Sequence, residues 1–439
     1  MVFATPVRFC QTKRFTPSLH CLAAASLASF CITVGAAWAQ PPAPGRDVES
    51  LLEIAREKNP EFAAMRHEAA AARERPESAG ALPDPMLRVE LMDITNAGTD
   101  ASPSLLPSRV GSTKYTVLQQ LPWFGKRGAM RDAAEADSQA VSSRAQVAWL
   151  EVAMRIKTAF AQYYLATENE RLMREVLDLM TRLESVAQAR YAGGLAAQQD
   201  AIRAQVEQTS MRTDLVMIEA EKRRIAARLN ALAARPVSAP LAPPERLRPL
   251  PPPVRLQAAD LEERARARSP LIAADDARAR SAGKMVELAD LNRYPDIGVG
   301  LSPTQMGTRI SEWGIMLEMN IPLQQESRRA KEREARAMLD AASAKRDATS
   351  LGLLGELAEN LVLLDASRRT ETIAATSLLP QAELTFQSAL AGYENGKVDF
   401  ATLLDAQRQI LRAKQERLKA QAESQMRLAD IERIVGEDL

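Results

Sequence analysis

The chain has 439 residues with 57 basic and 56 acidic side chains, two histidines and three cysteines, and this charge balance gives no electrostatic footprint for nucleic acid. All three cysteines (Cys10, Cys21, Cys31) lie in the first 39 residues. Beyond them the sequence has no thiol for a disulfide, a soft metal or nucleophilic catalysis, and only His67 is left for a histidine-based triad or zinc site.

Residues 1–39 read as a secretory signal peptide, with Arg8, Lys13 and Arg14 before an apolar run from Leu19 to Val34 and a small-residue cleavage site at Ala37-Trp38-Ala39. Cleavage there leaves a chain beginning at Gln40, with 54 basic against 56 acidic residues. Lipidation is the alternative route, but Cys21 and Cys31 follow His20 and Phe30, where lipid attachment needs a small residue. After the signal no apolar run reaches the roughly 18 residues of a transmembrane helix, so any membrane crossing must be made by strands.

Residues 40–235 are predicted to run as helix, two strands (near 85–94 and 113–121), a very long helix, a tip turn at 191–195 and a further helix. A connector at 236–256 follows, with eight prolines that cannot continue a helix. Residues 257–439 then repeat the first order, with strands near 295–302 and 312–321 and a tip turn at 392–397. The landmarks recur about 200 residues apart, as expected for tandem repeats. Leu121-Pro122 returns as Ile321-Pro322, and Tyr191-Ala192-Gly193-Gly194 as Tyr393-Glu394-Asn395-Gly396.

The proline-free run from Lys126 to Arg190 would extend on the order of 100 Å as a helix. The comparable run from Gln325 to Leu390 is interrupted at Pro380, which should kink it or mark a join. Leu172, Val176, Leu179, Leu183 and Val186 step by four, three, four and three and predict one coiled-coil seam. Helices of this length imply a rod or a tunnel wall.

The strands alternate. Leu87, Val89 and Leu91 oppose Arg88 and Glu90; Tyr115 and Val117 oppose Lys114, Thr116 and Gln120; Ile297, Val299 and Leu301 oppose Asp296, Gly298, Gly300 and Ser302. Trp313, Ile315, Leu317, Met319 and Ile321 oppose Glu312, Gly314, Glu318 and Asn320. Such runs fit tilted membrane strands with an apolar outside and a polar inside. Alternation is shared with soluble sheets that have one wet face. Strands too few to close a barrel would require several copies to share one, with Thr95–Ser112 and Pro303–Ser311 as extracellular loops.

The run Leu121-Pro122-Trp123-Phe124-Gly125-Lys126-Arg127, the stretch from Tyr191 to Asp200, and Gly392-Tyr393-Glu394-Asn395-Gly396 leading to Leu403-Leu404-Asp405-Ala406-Gln407 resemble the TolC-like outer-membrane efflux family, most of all its heavy-metal members. The resemblance implies a mostly α fold with a small β portion. Long antiparallel coiled-coil helices would form a periplasmic tunnel, and four strands per chain would enter a shared twelve-strand barrel of a homotrimer in outer-membrane lipid. It further implies a passive duct without catalytic centre, metal site or cofactor, docked to a periplasmic adaptor (membrane fusion) protein and an inner-membrane pump of the resistance-nodulation-division type. By the same resemblance, the tips carrying Tyr191, Gly193, Gly194 and Leu195 and Tyr393, Gly396 and Lys397 are the periplasmic mouth and adaptor-docking surface. Asp405 matches an acidic constriction of that mouth. Thr402 stands where the family often has a second aspartate and Val398 where some members have an arginine, so a double acidic ring and that ionic latch are not implied for this chain. Gly194 and Gly396 suit turns that need positive φ, whether or not they dock a partner.

A soluble periplasmic coiled-coil protein, such as an adaptor, is the alternative reading. An adaptor should carry one helical hairpin and many more strands. No nucleophile, metal cluster or phosphate loop marks an enzyme.

Overall fold

The structure, a computed structural model, describes residues 44–94 and 103–439. The segment predicted to be a signal peptide, and residues 95–102 of the predicted loop Thr95–Ser112, lie outside the described residues.

Two short helices, α1 (Val48–Lys58) and α2 (Pro60–Gly80), open the fold. Asp47 caps α1 by accepting from the Ser50 N–H, and Asn59 caps α2 by accepting from the Phe62 N–H, with Pro60 at a first-turn position that has no helical N–H to lose. The Asn59 amide also donates to Leu232 O at 2.8 Å and so fixes the α1–α2 corner to a distant helix end. Strands β1 (Met86–Met92) and β2 (Ser112–Leu121) lead into α3 (Lys126–Ala192), 67 residues without a break, and α4 (Gln198–Leu232) returns beside it. After the connector come α5 (Ala258–Arg268), α6 (Pro270–Leu291), β3 (Ile297–Met306) and β4 (Arg309–Met319). Helix α7 (Gln325–Ile373) continues through a π-helical turn, Ala374–Leu378, into α8 (Leu379–Glu394), and α9 (Phe400–Val435) returns. The π turn lies just ahead of Pro380, whose ring and missing N–H disrupt ordinary helical bonding, and the backbone stays right-handed helical through the join. Among the described residues no helix is long and apolar enough to cross a membrane.

Helix α3 is the spine. It packs on α2 and α6 and on α4 and α9, while α7 packs on α6 and α9. Its seam near the tip differs from the predicted one. Leu172, Val176 and Leu183 are buried as expected, together with Met173, Met180 and Ala187, whereas Val186 is exposed and Leu179 only partly covered. The coiled-coil step is kept, but the buried stripe is wider than predicted and shifts onto Met180 and Ala187 toward the tip, because α3 faces helices on more than one side. Ala204 and Met211 of α4 and Phe400, Leu403 and Leu404 of α9 close this core. A second core joins α1 to α3 and α4 through Leu51, Ile156, Phe160 and Leu229, and a third joins α5, α7 and α9 through Leu261, Leu357 and Ile431. Each fully buried side chain of this size contributes roughly 1.5–3 kcal/mol.

The four strands form one antiparallel sheet in the order β1-β2-β3-β4, with β1 and β4 at the edges. The predicted loop Pro303–Ser311 is much shorter than expected, since Met306 pairs with Arg309 and the turn is Gly307-Thr308. Pro303 therefore lies inside a central strand. The β2–β3 ladder is interrupted opposite it, between the Lys114↔Thr304 and Val117↔Leu301 pairs, and this gap is what accommodates a residue without an N–H.

Candidate functional site

Register turns the alternation into two faces. Leu87, Val117, Leu301 and Ile315 are aligned across all four strands, and their exposures are 67, 50, 48 and 85%. Val89, Val299, Trp313, Leu317 and Met319 extend the same apolar, uncovered face. On the other face Glu90, Lys114, Thr304 and Glu312 form an equally continuous polar row. That face is also pinched. A Cβ on Gly298 or Gly300 would meet the Leu118 side chain at 3.2 or 3.4 Å, so these glycines give Leu118 room on the sheet.

Beneath the sheet the chain turns into α3 through a cluster of which sequence reading caught only half. The Trp123 and Tyr294 rings stack 5.2 Å apart, and Asp296, expected on a strand face, instead accepts from the Trp123 N–H and the Lys126 ammonium, both at 2.8 Å. Lys126 also donates to Tyr294 O, and Arg127 donates to Gly80 O, so both halves of the chain are tied at one level. Phe124 is left 85% exposed beside this junction. The Trp-Phe-Gly-Lys run was legible in the sequence; its partners, about 170 residues away, were not.

At the far end the two tips have the same backbone. Leu195 N–H donates to Arg190 O and Lys397 N–H to Gly392 O, both at 2.8 Å, while Gly194 and Gly396 donate to Tyr191 O and Tyr393 O. This double bond pattern closes a helix through a left-handed residue, and Gly194 and Gly396 have φ of 72° and 70°. Gly193, at φ −83°, has an ordinary conformation that asparagine shares at position 395.

The side chains then diverge. Tyr191, Leu195 and Lys397 are exposed, but Tyr393 is buried, with its ring 5.3 Å from Phe400 and beneath the Arg190 guanidinium. Burial and the nearby Asp200 push the Tyr393 phenol above the usual tyrosine range, against an opposing pull from Arg190. Asp405 is solvent-facing on α9, with Arg408 at 3.5 Å. Arg408 in turn makes a two-pronged pair with Glu207 of α4, at 2.6 and 3.1 Å. Thr402 donates its N–H and hydroxyl to Asp399, the cap of α9. Structure thus brings Tyr393 to Arg190 and Arg408 to Glu207, pairs separated by about 200 residues that spacing alone does not show.

The family model for outer membrane efflux proteins matches residues 51–235 and again 261–437. This chain belongs to that family. As an outer membrane efflux protein it is a channel subunit of the outer membrane, and the soluble-adaptor alternative has no support. The chain is 26% identical over 318 residues to the cobalt-zinc-cadmium resistance protein CzcC of Cupriavidus metallidurans, which spans 71% of this chain and 74% of that protein. Among solved structures the efflux-protein fold is similar to CusC, with a TM-score of 0.76 at 17% identity over 91% of this chain and 96% of that one. It is also similar to VceC of Vibrio cholerae, with a TM-score of 0.75 at 17% identity over 89% and 96%. These structural likenesses show that the chain shares the fold of those two proteins.

Proposed function

We propose that three copies of this chain form one passive exit duct, which receives substrate at the helical tips from a periplasmic adaptor and an inner-membrane pump of the resistance-nodulation-division type and releases it through a shared barrel. The observation that carries the reading is the four-stranded sheet itself. It has an uncovered apolar face, an opposite face crossed by the polar row Glu90, Lys114, Thr304 and Glu312, and two edge strands without a partner among the described residues, and unpaired edges are not stable in lipid. Edge-to-edge joining of copies closes the wall, with the polar rows inside.

The helices support the same closure. Ile202, Val206, Thr209, Thr213 and Val216 lie uncovered on α4, at steps of four and three, on the side away from α3. Val362, Ile373 and Leu384 lie uncovered at eleven-residue intervals along α7 and α8. These faces occur on the two outer helices of one protomer, so each can meet the other on a neighbouring copy. The tips with Tyr191, Gly193, Gly194, Leu195, Tyr393, Gly396 and Lys397 are the surface offered to the adaptor. Asp405, repeated around the axis, favours cations at the mouth, and the resemblance to a cobalt-zinc-cadmium resistance protein makes divalent heavy-metal ions the substrate class to test first.

The test is the purified protein in planar bilayers together with its native mass in detergent. A trimer mass and discrete ion conductance are expected. A water-soluble monomer that neither partitions into liposomes nor conducts overturns the reading.

A further inference from the structure

We propose that the cleft between α2 and α3 binds an amphiphilic organic anion, a compound with an apolar ring body and a carboxylate, sulfonate or phosphate at its edge. The site stands apart from the duct reading and does not depend on it. On α2, Phe62, Arg66, Ala69 and Arg73 follow one another at steps of four, three and four and so share one helix face. Trp149 and Gln146 of α3 line the same cleft, whose volume is about 540 Å³, and Arg56 from the last turn of α1 joins them. A cleft of that volume suits a small organic molecule. Its lining includes Arg56, Arg66 and Arg73 and no carboxylate. The chain as a whole has nearly equal numbers of acids and bases, so this is a local excess of positive charge. Among the described residues none of the three guanidinium groups has an ion pair or a hydrogen bond, and Glu61, next to Phe62, is paired instead with Arg155 at 3.0 Å.

Two of these cations are held in place by aromatic rings. Arg56 lies over the Trp149 ring at 5.5 Å and Arg66 over the Phe62 ring at 5.8 Å, and the two rings are themselves 5.2 Å apart. A guanidinium is planar and carries its N–H groups in that plane, so a ring on its face leaves the donor edge free for a carboxylate, sulfonate or phosphate. The same rings, with the buried Ala69 and Ala145, give the cleft apolar surface next to those donors. An inorganic anion can use the donors but not the rings, and a neutral hydrocarbon the rings but not the donors. A metal cation is repelled. Only a ligand with both parts uses the whole cleft.

The test is calorimetric titration of naphthalene-2-sulfonate into the assembled protein in a neutral detergent, with detergent alone as the blank. Saturable binding is expected, with inorganic sulfate and the uncharged 2-naphthalenemethanol each weaker on the order of tenfold or more, since each forgoes one half of the contacts. Arg66→Gln and Arg73→Gln should each weaken the sulfonate on the order of tenfold, the scale of one charge-assisted hydrogen bond. Arg75→Gln, two residues along α2 and on its opposite face, should leave binding unchanged. The site is overturned by a parent protein that does not bind the sulfonate, by sulfate or the alcohol binding as tightly, by affinity unchanged in both cleft variants, or by an equal loss in Arg75→Gln, which would reduce the effect to general surface charge.

Discussion

The ammonium of Lys157 in α3 lies 2.7 Å from the Glu432 carboxylate in α9, and both side chains are almost wholly buried. Arg248 reaches the same carboxylate at 3.0 and 3.2 Å, so the proline-rich connector is anchored to the bundle at the point where the chain's two halves meet. Lys157 also holds Asp438 at 2.5 Å, so removing it leaves two carboxylates, Glu432 and Asp438, with Arg248 as the remaining cation on Glu432. Lys157→Met should therefore cost about 3 kcal/mol and lower the melting temperature of the detergent-solubilised protein. A melting temperature within error of the parent would show that Arg248 alone suffices.

At the tips, Gly396→Ala should weaken the turn by roughly 1 kcal/mol through its left-handed backbone, and Gly396→Asn by less. Gly194→Pro or Gly396→Pro cannot adopt the conformation and also removes an N–H that the turn uses. Efflux should be abolished while trimers persist in the outer membrane. Loss of trimers would instead assign these glycines to folding.

On the membrane face, Ile315→Arg should cost about 2–4 kcal/mol if the side chain faces lipid near the bilayer centre. Its abundance in outer-membrane fractions should fall sharply, while Glu312→Gln on the polar face should assemble normally. Equal recovery of the two variants would refute the assignment of faces.

Glu170 of α3 holds α4 through Lys222 at 2.7 Å and also pairs with Arg174. Burial pushes its carboxyl upward, but hydrogen bonds and charge from Lys222 and Arg174 outweigh that and hold its pKa below the usual glutamate value. A depressed folded-state pKa gives stability that is present above the unfolded pKa and lost as pH falls through the folded value. Melting temperature should drop on acidification below about pH 4.5, and Glu170→Gln should flatten that part of the profile. Parallel profiles for the two proteins would remove Glu170 from the account.

If Asp405 rings the mouth, Asp405→Asn should reduce cation over anion permeability, read as a shift of reversal potential in a salt gradient. Arg408→Ala in the same background should move selectivity the other way. An unchanged reversal potential in both would place Asp405 on an ordinary wet helix face.

What the sequence determined by itself was everything carried by local repetition. Two-residue alternation set the strand faces, the seam spacing set the long helices, and Pro380 and the glycine of each tip marked where backbone geometry must change. These are properties of a few neighbouring residues and the bonds between them. Tertiary structure alone decided which of two equivalent tyrosines is buried, since Tyr191 and Tyr393 end identical turns but only Tyr393 has Phe400 and Arg190 around it. It also widened the α3 seam to take in Met173 and Met180, drew Pro303 into a strand, and paired Lys157 with Glu432 across 275 residues. Such choices depend on what packs opposite, and a side chain's partners across a bundle leave no periodic trace in its own neighbourhood.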